Sequence, residues 1–236
     1  MNNQKFETHN RVPGIIYLVL AITGFYTPLA MKMFSSILDP VQWWEVILQN
    51  QLLFSSAIIS FYIMNISWLL LACSFYTVFK ETNKSISKLL LLSVVSGAII
   101  VFIIIFAQST PLFLISLTPY EYAIADSMVW IERAHFVYII GTKGNMSSYI
   151  FYSLWLFPLA ILFLQTHSIT KIERIILSLS LIVAGIGYMA DFILFHFIPQ
   201  HSHITATEYT FYGEVIVLLW LLARGIKSNK KARHAI

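Results

Sequence analysis

Cysteine and charge are what this sequence has least of. One cysteine, Cys73, stands in 236 residues. No internal disulfide and no cysteine-rich zinc site can be built from it, and its place in an apolar run reads as a small buried hydrophobe. Only 11% of the residues are charged, where a soluble domain carries about 25%. The familiar catalytic templates are missing too. There is no phosphate-cradling glycine loop, no Gly-x-Ser-x-Gly elbow and no His-Glu-x-x-His helix. No pair of mid-membrane histidines could hold a haem. No cofactor is implied. The net charge of +4 comes from residues at the ends of apolar runs, so it gives no argument for a nucleic-acid partner.

What fills the chain is hydrocarbon. It is 58% hydrophobic, with a mean hydropathy of +0.76. Such a chain cannot keep its surface in water, which makes it a polytopic membrane protein with lipids as its first partners. The length suits one integral membrane domain over 1–236. A bilayer core of about 30 Å needs roughly 20 helical residues. Six runs meet this, at about 12–34, 52–79, 89–115, 147–165, 173–197 and 206–224. The run from Val12 is longer than a signal-peptide core and contains Pro28, so it reads as a retained first span. Pro28 and Pro158 are expected to kink their helices.

With six spans and the N-terminus inside, the inner segments hold twelve Lys and Arg and the outer segments three, Lys32, Arg133 and Lys143. That asymmetry places both termini in the cytoplasm. The stretch 120–141 is apolar enough to suggest a seventh span, but it carries Glu121, Asp126, Glu132 and Arg133. It is therefore expected to be an outer interfacial helix between spans 3 and 4. The segment 38–50, with Trp43 and Trp44, is expected to be a second interfacial element, capped by Asp39 with Pro40 in its first turn. The fold class is all-α, a helical bundle of six spans.

Two acids interrupt the apolar runs. Asp191 closes the stretch Gly185-Ile-Gly187-Tyr188-Met-Ala-Asp191, and Glu214 follows Gly213. A carboxylate at the centre of a membrane helix costs roughly 2.5–3.5 kcal/mol even on lenient scales. Gly187, Tyr188 and Asp191 share a helix face, where small residues admit a neighbouring helix. Asp191 is thus expected to face the bundle with Tyr188 beside it. Glu214 lies deeper, with no Lys or Arg at its depth, and is expected to carry its proton at neutral pH. The two acids are placed to share a cavity. Asn65 and Tyr62, on one stripe of span 2, are candidates for the same interior. The plainer reading makes Asn65 an interhelical hydrogen bond that fixes packing. Ser60, Ser67 and Ser74 recur every seven residues as a packing seam.

His196, His201 and His203, with His135 on the outer helix, are metal-ligand types. Their spacing matches no metal motif, and a polar loop at the membrane surface explains them as well. The basic tail from Arg224 sets topology and meets anionic headgroups.

Several landmarks occur together: Arg11-Val-Pro-Gly14-Ile-Ile-Tyr17, Tyr76-Thr-Val-Phe79-Lys80, the glycine stretch ending in Asp191, and Gly213-Glu214 followed by Leu219-Trp220-Leu-Leu-Ala-Arg224-Gly225. Together they resemble the domain-of-unknown-function 4386 family of bacterial multi-pass membrane proteins. The resemblance implies the alignment of spans and a bacterial plasma membrane, and it implies no reaction. Three functions stay open. One is binding or transport of a proton-coupled or apolar small molecule in a cavity lined by Asp191, Glu214, Asn65 and tyrosines, which is slightly favoured. The others are an intramembrane enzyme acting on a lipidic substrate, and a structural or accessory protein. A small-molecule ligand and a homo-oligomer are the open partners.

Overall fold

The computed structural model describes residues 9–117, 128–198, 200 and 205–227. Among them, nine helices follow in order: α1 Val12–Ser35, α2 Pro40–Gln49, α3 Gln51–Phe79, α4 Lys84–Gln108, α5 Thr110–Leu117, α6 Met128–Gln165, α7 Lys171–Phe197, α8 Thr207–Thr210 and α9 Tyr212–Ala223. Two short strands, β1 His9–Asn10 and β2 Ile226–Lys227, pair antiparallel. Five helices (α1, α3, α4, α6 and α7) are long and apolar enough to cross a membrane.

Three features depart from the expected spans. The run at 89–115 divides at Ser109, just before Pro111, which has no N–H to continue the ladder. The expected outer helix is not a separate element. From Met128 it belongs to α6, which continues without a break to Gln165; residues 120–127 lie outside the described residues. Nothing at 142–146 ends a helix, and the Thr142 hydroxyl returns its bond to the Tyr138 carbonyl at 2.9 Å. The last run appears as α8 and α9, separated at Phe211. α1 and α6 run through Pro28 and Pro158 as single helices.

Contacts divide the chain into two compact units. Unit 1 comprises 1–18, 67–97 and 149–236; unit 2 comprises 19–66 and 98–148. In unit 1 the core is aromatic. Trp68, Phe75, Phe79, Trp155 and Phe163 are each at most 2% exposed, and Phe79 meets Phe163 edge-to-face at 5.4 Å. In a bilayer, lipid tails compete equally for apolar surface, so fit and van der Waals contact hold such helices together. Close approach is set by glycines. A Cβ on Gly213 of α9 would collide with the Ser180 carbonyl of α7, and one on Gly14 of α1 would lie 2.9 Å from the Leu221 backbone of α9. Buried hydroxyls add interhelical bonds: Ser153 donates to the Gly185 carbonyl and Ser178 to that of Ala160, both at 2.8 Å.

In unit 2, Asp39 caps α2 by accepting from the Gln42 N–H at 2.8 Å, and Pro40 opens the helix as expected. Its tryptophans are buried in protein, not turned to the membrane interface. Trp43 packs on His135 and Tyr138, with ring centres 4.8 and 5.2 Å away. Cys73 corrects another expectation: it lies on an exposed face of α3.

Candidate functional site

Glu214 sits in the first turn of α9, and two glycine contacts explain its surroundings. Gly213 brings α9 against α7, which carries Tyr188 beside the carboxyl. Gly14 brings α1 against α9, and Tyr17, one turn on, donates to Glu214 Oε2 at 2.7 Å. Tyr17 is 3% exposed, whereas Glu214 keeps some accessible surface. No ion pair to Glu214 is found among the described residues. Around this pair lie further phenols. The Tyr188 ring centre is 5.5 Å from that of Tyr149 and 5.6 Å from that of Tyr152. The site is an acid in a tyrosine cage, able to exchange a proton or accept a bond from a donor ligand.

Asp191 has different work. It is 5% exposed. Its carboxyl accepts from the backbone N–H of Ala206 at 2.6 Å, from that of Thr207 at 3.0 Å, and from the Thr207 hydroxyl. It therefore caps the start of α8 from the side of α7. Gly187, one turn earlier, makes room for Thr210, whose hydroxyl a Cβ there would strike. The Asp191 oxygens are taken by this cap in place of the expected Tyr188. The glycine stretch is thus split: Gly187 and Asp191 hold α8, and Tyr188 packs on Tyr149 and Tyr152 beside the acid on α9.

The remaining candidates are placed elsewhere. Asn65, in unit 2, is fully buried and donates from Nδ2 to the Ala98 carbonyl at 3.1 Å, a packing bond. Its Oδ1 has no partner among the described residues. Tyr62 packs on Phe102 with ring centres 6.2 Å apart. His135, 4% exposed, bonds through Nε2 to the Ile37 carbonyl at 3.1 Å. His196 is exposed and bonds within its own helix to the Phe192 carbonyl. His201 and His203 lie outside the described residues. Among the described residues no three His, Cys, Asp or Glu side chains gather to hold a metal.

Sequence reasoning missed Tyr17 as the partner of Glu214. Its signal was the spacing of Gly14 and Tyr17, a close-approach residue one turn before a phenol. It also missed Glu173, whose signal is the capping box from Thr170. Glu173 Oε1 accepts from Trp220 Nε1 at 3.1 Å and from Arg224 Nη1 at 2.6 Å.

Among the described residues, five apolar helices with close glycine contacts, and a carboxyl held by a tyrosine hydroxyl, define a multi-pass helical membrane protein. Its family follows from residues 12–225, which match the model described as domain of unknown function (DUF4386). The chain belongs to that family. No curated protein and no solved structure matches it.

Proposed function

We propose that this protein binds or transports a small molecule in a proton-linked manner, with Glu214, Tyr17 and Tyr188 as the polar centre. The supporting observation is the Glu214 carboxyl itself. It stands in an apolar helix, keeps some accessible surface, accepts a bond from the Tyr17 phenol, and pairs with no cation among the described residues. Ionisable groups inside a membrane protein mark ion and substrate paths by default. Asp191, with its oxygens engaged by α8, belongs to packing in this reading.

The proposal includes six crossings of a bacterial plasma membrane, with both ends cytoplasmic. β1 and β2 join the two ends of the described chain, which favours an even number of crossings. The five long helices need one more, and α8 with α9 supplies it.

The test is proton flux into vesicles that enclose a pH-sensitive dye, under an imposed inside-negative potential. Wild-type protein should acidify the interior faster than empty vesicles do. Glu214→Gln should abolish the excess, and Tyr17→Phe should reduce it. Equal flux in wild type and Glu214→Gln would overturn the reading.

A further inference from the structure

We infer that unit 1 carries a binding site for one anionic phospholipid, formed where α1 and α7 begin and α9 ends. The site is a cleft of about 450 Å³ whose lining includes Arg11, Thr170, Glu173, Trp220, Arg224 and Gly225. These residues precede or end apolar helices, so the cleft lies at headgroup depth. Trp220 suits that depth, with its ring edge-to-face on Phe163 and its N–H bonded to Glu173.

The charge in the cleft is unevenly spent. Glu173 is saturated: Oε1 takes Trp220 and Arg224, and Oε2 takes the Thr170 N–H at 3.0 Å and the Thr170 hydroxyl at 2.8 Å. Arg224 gives Glu173 a bond through Nη1, and its side chain is 63% exposed. Arg224 lines the cleft, and its other guanidinium nitrogens make no ion pair among the described residues. Arg11 is exposed, and no ion pair is found for it among the described residues. Two guanidinium groups against one occupied carboxylate leave a net positive lining with planar donor forks, the geometry that grips phosphate.

Phosphate is the shared chemistry of a lipid headgroup and the free ion, and the surroundings favour the lipid. One turn from Arg11, Glu173 and Trp220, on the same helix faces, stand Ile15, Ile176 and Ile216. They are 57%, 49% and 44% exposed. Acyl chains leaving the cleft would run along them.

The test uses the full chain purified in detergent, native mass spectrometry and melting curves. Dioleoyl phosphatidylglycerol, dioleoyl phosphatidylcholine and inorganic phosphate are the probes. One phosphatidylglycerol should stay bound per chain and raise the melting temperature, and phosphatidylcholine should do neither. Arg11→Gln should weaken retention about fivefold, the effect of removing one surface cation, while melting like wild type without lipid. Arg224→Gln adds to this, but it also breaks the Glu173 pair, so Arg11→Gln carries the decision. Equal retention of both lipids would overturn the inference. So would unchanged retention in Arg11→Gln, or an equal stabilisation by inorganic phosphate alone.

Discussion

The two membrane acids respond differently to the loss of a charge. Asp191 accepts three hydrogen bonds from the turn that opens α8, two of them from backbone N–H groups. Asp191→Asn keeps one acceptor oxygen and turns an NH₂ toward a donor. The expected cost is about 1–3 kcal/mol, seen as a lower melting temperature in detergent. Glu214→Gln keeps an oxygen for Tyr17 and removes an ionisable group from the helix, so it should melt at or above wild type while losing proton flux. If Glu214→Gln melts well below wild type, Glu214 is a packing residue and the transport reading loses its support. The acids themselves were legible, since each interrupts a hydrocarbon run beside small residues. Their partners were not. Two of the three donors to Asp191 are backbone N–H groups, which have no letter in a sequence, and Tyr17 is 197 positions from Glu214.

At the scale of elements, glycines decide which helices touch. Gly213 faces the backbone carbonyl of Ser180, which cannot swing aside. Gly213→Ala should therefore force α9 away from α7 and reduce the yield of monodisperse protein, a loss in the range of about 1–3 kcal/mol or more for overpacking. Gly24 is the control. A Cβ there would be in ordinary contact with the flexible Met64 side chain, its sulfur at 3.7 Å and its Cγ at 4.0 Å. Gly24→Ala should be neutral or gain up to about 1 kcal/mol in helix propensity. Size-exclusion profiles and melting curves of the two variants check the contrast. The close approach of a helix at Gly187 was readable from the small residues on its face; that at Gly213 was not anticipated. The length of α6 was not. Glu132 and Arg133 suggested a separate surface helix, yet both are exposed residues of α6, with the Arg133 guanidinium 5.0 Å from the Trp130 ring centre. An exposed charge marks a wet face as readily as it marks the end of a span.

For the whole molecule, the number of crossings decides which loops share a side. α6 has 38 residues, about 57 Å of helix at 1.5 Å per residue, nearly twice the hydrocarbon thickness. A helix of that length that crosses the bilayer near its normal has part of its length outside the core, and the exposed Glu132 and Arg133 suit that part. α8 and α9 together cover Thr207–Ala223, about 25 Å, short for a span but enough for a slightly thinned bilayer. Single cysteines on a Cys73→Ala background test the arrangement. Leu38→Cys should react with a membrane-impermeant maleimide on intact cells. Glu81→Cys, Ser168→Cys and Ala223→Cys should react only in inverted vesicles. Ala223→Cys is decisive, because five crossings would expose it on intact cells and separate the ends that β1 and β2 join. Protection of Ala223→Cys together with Glu81→Cys requires the even count, and with it Glu214 lies within a span.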